Sequence, residues 1–119
     1  MSDRFVRKEF GARARRAGPV AVVSVHGEVD IATGPRLEAV AKRAISAPQP
    51  EALLVDLDDC PFMDSTGLNF LLRTRTSFPG RVLVSCQPGS AVARMLQLTT
   101  RGIVDVFDSA DDALHAVSA

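Results

Sequence analysis

The chain has 119 residues, 46% of them hydrophobic, which suffices for one domain with a single buried core. Its 14 Lys and Arg residues balance 14 Asp and Glu residues, so no overall field draws it to nucleic acid or to an anionic membrane. The charge is uneven, because residues 1–16 carry six basic groups and residues 103–119 carry four Asp and no Lys or Arg. We interpret these segments as solvated surfaces of opposite sign, with a binding patch as the alternative.

The cysteines and the apolar runs exclude several classes of protein. Cys60 and Cys86 are widely spaced beside apolar runs, which argues against a disulfide framework or a zinc site and favours reduced thiols in the cytosol. The basic N-terminus has no apolar segment behind it, so we expect no signal peptide. No apolar run approaches the length of a membrane span, and Trp and Tyr are absent. We therefore expect a cytoplasmic protein with no metal, no cofactor, no membrane partner and no direct nucleic-acid partner.

The first half of the chain predicts two strands, a helix and a third strand. Residues 5–13 alternate weakly and predict an edge strand, which Gly18-Pro19 closes with a turn. The β-branched run 20–25 predicts the next strand. Thr33-Gly34-Pro35 is typical of a helix start, and apolar residues then recur at helical spacing: Leu37, Val40, Ala41, Ala44 and Ile45. The continuous apolar run 52–57 is typical of a central strand covered on both faces.

The second half continues the alternation of helices and strands. A second helix is predicted over 65–77, with Leu68, Leu71 and Leu72 facing the core. The remaining elements are a strand at 82–86, a third helix that packs Val92, Met95 and Leu96, a strand at 103–107 and a last helix that starts at Ser109. The order β-β-α-β-α-β-α-β-α predicts a single α/β domain over 1–119. Its sheet is expected to be mixed, mostly parallel and of about five strands, with helices packed against it.

The connection between the central strand and the second helix carries the densest pattern. Asp64, Ser65 and Thr66 are all good helix caps, so a plain N-cap cluster is the first explanation. Functional sites, however, commonly lie at this edge of an open α/β sheet. Phe62 and Met63 precede the cluster as apolar loop residues, and we expect both to be exposed in a docking surface.

A plain N-cap cluster does not account for Gly67 or for the position of the Ser65 hydroxyl. A glycine costs about 1 kcal/mol inside a helix, so Gly67 indicates a close approach of another group. A hydroxyl at a helix start is a natural phosphate acceptor, since free N–H groups and the positive end of the helix dipole face it. A phosphate there adds roughly −1.5 to −2 charges to the surface. One like charge about 4 Å away costs roughly 4 kcal/mol, on the order of a thousandfold in affinity.

Two motifs resemble the STAS domain of bacterial anti-sigma factor antagonists, also called anti-anti-sigma factors. They are Phe62-Met63-Asp64-Ser65-Thr66-Gly67-Leu68 and the upstream Gly27-Glu28-Val29-Asp30, and the resemblance extends over about residues 20–117. It implies that an anti-sigma factor, itself a serine kinase with a histidine-kinase-like ATPase fold, phosphorylates Ser65. The unphosphorylated form would bind that factor and free the sigma factor, as in stress responses. A phosphoserine phosphatase would restore the binding form.

The resemblance also implies roles for the residues around Ser65. Asp30 falls at a family position near the phosphoacceptor that shapes the docking face, and Asp64 and Thr66 carry over as flanking contacts. Together with Ser65 itself, the expected partner-binding residues are Asp30, Phe62, Met63, Asp64, Thr66 and Gly67. No residue is expected to be catalytic.

Other functions are weighed against this one. Hydrolysis would need Ser65 as a nucleophile with a base, but His26 is better explained as structural and His115 as facing solvent. The sequence contains neither a Gly-x-x-x-x-Gly-Lys loop nor a Gly-x-Gly-x-x-Gly turn, so it does not favour nucleotide binding. The alternative that stays open is a STAS module in a non-sigma role, as a stressosome-like scaffold or a soluble subunit of a lipid transporter.

Overall fold

The helices and strands alternate in the predicted order, β-β-α-β-α-β-α-β-α. The computed structural model describes residues 9–46, 48–100 and 102–118. Its elements are β1 (Gly11–Ala17), β2 (Val20–His26), α1 (Gly34–Ala44), β3 (Ala52–Asp59), α2 (Ser65–Ser77), β4 (Arg81–Ser85), α3 (Ala91–Thr99), β5 (Asp105–Phe107) and α4 (Ala110–Ser118).

The strands form one five-stranded sheet in the order β1-β2-β3-β4-β5. β1 pairs with β2 antiparallel across the Gly18-Pro19 turn, and each later pair is parallel. Each parallel step crosses over through a helix, because a short turn cannot join parallel strands. This confirms the predicted α/β class and its mixed, mostly parallel sheet.

Helices cover both faces of the sheet, which explains the continuous apolar run of β3. Leu53 and Val55 belong to the larger core, which α1, α2 and α3 cover. Leu54 lies on the opposite face, in a smaller core closed by Ala113 of α4. All three of these β3 side chains are 0% exposed. The carboxyl ends of four parallel strands consequently meet at one edge, where the loops of interest begin.

The bounds of β1 and β5 differ most from the prediction. The edge strand β1 runs over Gly11–Ala17 rather than 5–13, and residues 5–8 lie outside the described part of the chain. Most of its middle residues are arginines and alanines that face solvent, so hydrophobic alternation cannot locate it. β5 is only Asp105–Phe107, because Gly102, with a φ of 75°, leads the chain through a turn first.

The buried face of α2 also differs from the prediction. Leu71 is buried as expected, but Leu68 and Leu72 are only half-buried, and Phe70 and Thr74 take their place. Gly67 is buried on the same face, one turn before Phe70 and Leu71. The helix therefore turns its smallest residue toward the sheet. A similar exchange occurs in α3, where Ala93 is buried and Met95 is half-buried.

Both cysteines belong to the larger core. Cys60 and Cys86 are both free and buried. Burial raises the pKa of each thiol, that of Cys86 to about 11. Within the described ranges, no helix has the length and apolar content needed to cross a membrane.

Two acidic residues, Asp56 and Asp58, lie near the carboxyl end of β3. Asp56 Oδ1 accepts hydrogen bonds from Ser85 Oγ at 3.2 Å and from the Asp58 amide at 3.0 Å. The Asp58 carboxyl faces the backbone of Ala110, at the start of α4. Its Oδ1 is buried and has no hydrogen-bond partner among the described residues. Burial first, and then the charge of Asp56, raise the pKa of Asp58 above its usual 3.8.

Asp58→Asn is expected to raise the melting temperature at pH 7. When the pKa of a carboxyl is raised in the folded state, its ionisation lowers the stability of the folded protein. The side-chain amide of Asn carries no charge and so avoids this loss. The gain should shrink as the pH falls through the raised pKa, and vanish below 3.8, where the carboxyl is protonated in both states. Thermal unfolding across this range measures it, with the exposed Asp59→Asn as the control. A gain that does not depend on pH would contradict this account.

Candidate functional site

Two loops at the carboxyl edge of the sheet are joined by a short parallel pairing. The amide of Val29 donates to the carbonyl of Phe62 at 3.0 Å, and the amide of Asp64 donates to the carbonyl of Val29 at 3.1 Å. These bonds form a bridge between Val29 and Met63. The two sequence motifs are therefore held side by side, although their first residues, Gly27 and Phe62, are 35 positions apart in the sequence.

Asp64 caps α2 and leaves Ser65 free for another role. Asp64 Oδ1 accepts a hydrogen bond from the amide of Thr66 at 2.8 Å, and its carbonyl accepts one from the amide of Gly67 at 3.1 Å. Ser65 is the first residue of the helix and is exposed. No hydrogen bond of its hydroxyl is found among the described residues. The N-cap explanation thus accounts for Asp64 and leaves the Ser65 hydroxyl without a structural function.

Asp30 organises the turn that leads into α1. Its Oδ1 accepts hydrogen bonds from the amides of Ala32 at 2.9 Å and Thr33 at 3.0 Å. The amide of Asp30 in turn donates to Thr33 Oγ1 at 2.9 Å, and its carbonyl accepts from the amide of Gly34 at 2.8 Å. The side chain of Thr33 makes no cap bond to the helix, so the Asp30 carboxylate holds this turn together. The carboxylate is half-buried by these contacts.

The starts of α1 and α2 meet where Gly34 faces Thr66. A Cβ built on Gly34 would lie 2.6 Å from Thr66 Cγ2, so the methyl group of Thr66 fills the space that the glycine leaves. The structure therefore brings Asp30, Asp64, Ser65 and Thr66 together at one edge. Both helices present their N-termini to the same surface, where the carboxylates of Asp30 and Asp64 already accept hydrogen bonds from backbone amides.

Met63 is buried, which corrects the expectation that it is exposed beside Phe62. It is 4% exposed, whereas Phe62 is 47% exposed. The pairing with Val29 is the reason, because successive residues of an extended segment point to opposite sides. Met63 packs beneath the site against Gly67. Of the two apolar residues, only Phe62 is placed to touch a partner.

Gly67 allows the start of α2 to pack closely against Met63 and Val29, as a glycine inside a helix indicates. A Cβ at this position would collide with Met63 Cγ and Sδ and would lie 3.1 Å from Val29 Cγ1. The start of α2 can therefore rest directly on the paired loops. Gly67 is buried, so it supports the surface around Ser65 from beneath without being part of it.

Ile31 is a surface residue that the sequence analysis missed. Its side chain is 83% exposed, in the turn that Asp30 holds. The available signal was a single large apolar residue between Asp30 and the small, polar start of α1. One such residue does not alter a periodicity pattern, so the sequence pattern does not indicate its exposure.

The histidines are not joined to Ser65 by any described hydrogen bond. His26 is half-buried over Gly11, where a Cβ would lie 2.6 Å from His26 Cε1. His115 is exposed on α4, as expected, with Nδ1 3.2 Å from the carbonyl of Asp111. Across the described ranges, no three His, Cys, Asp or Glu residues are grouped in a way that could hold a metal ion.

Gly67→Ala is expected to destabilise the fold, although alanine is the better helix former by about 1 kcal/mol. The added methyl group must displace buried Met63, and such overpacking typically costs 1–3 kcal/mol, about enough to reverse the propensity gain. Urea unfolding measures the change. Asn69→Ala, at an exposed position of the same helix, is the control and should be neutral or slightly stabilising. Equal stabilisation by both variants would show that Gly67 is not needed for close packing.

Comparison with known proteins identifies the family. The family model of the STAS domain matches residues 12–113. An anti-sigma factor antagonist from Mycobacterium paratuberculosis has a similar structure, with a TM-score of 0.80 and 32% identity, over 93% of this chain and 96% of that one. No curated protein sequence matches the chain.

Two more distant structures share the fold. The anti-sigma factor antagonist SpoIIAA, solved in its unphosphorylated form, has a TM-score of 0.68 at 19% identity, over 92% of this chain and 99% of that one. A protein from Thermotoga maritima has a TM-score of 0.79 at 19% identity, over 91% and 95%. With the family model covering both motifs and the whole sheet, the chain belongs to the STAS domain family.

Proposed function

We propose that this chain is an anti-sigma factor antagonist whose binding is switched off by phosphorylation of Ser65. The observation that carries the proposal is the exposed Ser65 hydroxyl at the start of α2, which does no capping because Asp64 fills that role. The 32% identical relative from Mycobacterium paratuberculosis is described as such an antagonist. SpoIIAA, of the same description, has been solved in a form named as unphosphorylated.

The proposed partner is an anti-sigma factor with a serine-kinase activity of the histidine-kinase-like ATPase type. In this scheme the unphosphorylated chain binds that factor and frees the sigma factor. The partner then transfers the γ-phosphoryl group of ATP to Ser65 Oγ, which loses its proton, and ADP is left. The phosphorylated chain dissociates from the partner. A phosphoserine phosphatase hydrolyses the ester and restores binding. This chain contributes an acceptor and a docking surface, and it has no catalytic role.

The geometry explains how one phosphate would end binding without unfolding the domain. Ser65 is exposed, so its phosphate would stay in water in the free chain. In the complex, the phosphate would lie between the partner and a surface that already carries Asp30 and Asp64. A dianion confined there loses its hydration and meets like charges, and each like charge about 4 Å away costs roughly 4 kcal/mol at an effective dielectric of about 20.

A STAS module in a non-sigma role is the second candidate, as a stressosome-like scaffold or a lipid-transporter subunit. The complete Asp64-Ser65-Thr66-Gly67 motif and the antagonist descriptions of the similar structures favour the first candidate. Affinity capture with the unphosphorylated chain separates the two. An ATPase-fold anti-sigma factor supports the proposal, and transporter subunits contradict it.

The first test is the site of phosphorylation. With the captured anti-sigma kinase, ATP and Mg²⁺, the wild-type chain should gain one phosphate and Ser65→Ala none, as read by intact mass and peptide mapping. Ser77→Ala is the matched control, since it removes another exposed serine hydroxyl at the far end of α2. It should accept phosphate like the wild type. Phosphate on Thr66 or elsewhere would contradict the assignment.

The second test is charge-based release. Ser65→Asp should weaken binding of the anti-sigma factor by at least about tenfold, which corresponds to about 1.4 kcal/mol. Ser65→Ala should bind like the wild type. Ser65→Asn has nearly the size of Asp without its charge, so it should lie close to Ser65→Ala if charge is the cause. Calorimetric titration gives the constants, and equal affinities for the Asp and Asn variants would refute release by charge.

A further inference from the structure

Ile31 is the most exposed of the large apolar side chains that the structure describes. It is 83% exposed, followed by Leu98 at 79% and Phe62 at 47%. A single exposed apolar residue is common on protein surfaces and needs no explanation by itself. What distinguishes Ile31 is its place, because the neighbouring turn carries the phosphate acceptor of the proposed function.

The pairing of the two loops holds the turn of Ile31 next to the start of α2. Val29, two residues before Ile31, lies opposite Met63 in a parallel bridge, and its carbonyl accepts a hydrogen bond from the amide of Asp64, the residue before Ser65. Three residues beyond Ile31, Gly34 again touches the second loop through Thr66 Cγ2. Contacts on both sides of Ile31 thus hold its turn against the turn that carries Ser65.

The turn that carries Ile31 is also held in place before any partner arrives. The Asp30 carboxylate accepts hydrogen bonds from the amides of Ala32 and Thr33, which follow Ile31 in the chain. The Asp30 carbonyl accepts one from the amide of Gly34. The exposed isoleucine therefore stands on an ordered backbone. A preorganised apolar group of this kind gives up little conformational entropy when a partner covers it.

We propose that Ile31 is an apolar anchor of the docking surface and enters an apolar pocket of the anti-sigma factor. This inference rests on the proposed function. A kinase that transfers phosphate to Ser65 Oγ must touch the residues around it, and a standard interface covers about 800 Å² on each partner. Phe62 lies in the loop that leads to Ser65, and Ile31 lies in the loop paired with it, so an interface of that size covers both. Anchors of this type are found near the centre of interfaces, where water is excluded.

The anchor also accounts for the strength of the phosphate effect. When Ile31 and Phe62 are covered by the partner, the surface around Ser65 loses water. A phosphate there would be stripped of its hydration, which is far more costly than charge on an open surface. The apolar pair thus provides affinity to the unphosphorylated form and makes the phosphorylated form unable to bind.

Ile31→Ser tests the anchor, with Leu98→Ser as the matched control on α3 and Ile31→Leu as the conservative variant. Binding of the anti-sigma factor to each unphosphorylated chain is measured by titration calorimetry. Ile31→Ser should weaken binding at least tenfold, while Leu98→Ser and Ile31→Leu stay within about threefold of the wild type. The melting temperature of Ile31→Ser should equal that of the wild type, since its side chain is already exposed.

The outcomes separate this inference from the function on which it rests. If Ile31→Ser binds like the wild type while Ser65→Asp still weakens binding, the anchor is refuted and the proposed function stands. Equal weakening by Ile31→Ser and Leu98→Ser would also refute the anchor, because the effect would not be local to the docking surface. If the wild-type chain binds no anti-sigma factor, both proposals fall.

Discussion

The short parallel pairing between Val29 and Met63 is the constraint on which the site depends. Two backbone hydrogen bonds, at 3.0 and 3.1 Å, join a loop that follows β2 to a loop that follows β3. The pairing continues the β2–β3 ladder past the edge of the sheet. It turns Met63 inward and Phe62 outward, and so it decides which apolar residue a partner can reach. Gly67 is then required, because α2 must start directly above Met63.

The same constraint explains why Ser65 is available for modification. The amide of Asp64 is fixed by the carbonyl of Val29, which leaves the Asp64 carboxylate in position to cap α2. One residue later, the Ser65 hydroxyl has no such task. A phosphate on Ser65 would therefore change the charge of the surface without removing a cap that the fold needs. In the proposed function this is what allows a switch in binding with the domain intact.

Much of the architecture could be predicted from the sequence, because it depends on local patterns. β-Branched and apolar runs locate β2, β3 and β4, and the alternation of strands with helices requires parallel pairing. The cluster at Asp64 could be found for a similar reason, since cap residues are recognised by type. The sequence does not locate β1, because an edge strand of arginines and alanines carries almost no hydrophobic signal.

What the sequence could not predict depends on contacts between distant segments. Composition treats Phe62 and Met63 alike, and only the bridge to Val29 separates them. The prediction that Leu68 and Leu72 face the core from α2 is wrong for a related reason. A helix that must approach a loop closely turns Gly67 inward, against the rule that large apolar residues face the core. The exposure of Ile31 likewise follows from the turn that Asp30 holds.

The most direct test of the account is an NMR titration of the isotope-labelled, unphosphorylated chain with the anti-sigma factor. The account predicts that amide signals change together in two segments, 28–34 and 62–67, since the pairing makes them one surface. The Ser65-phosphorylated chain should show no such changes at the same partner concentration. Changes confined to α3, β5 or α4, or equal changes for both forms, would contradict it.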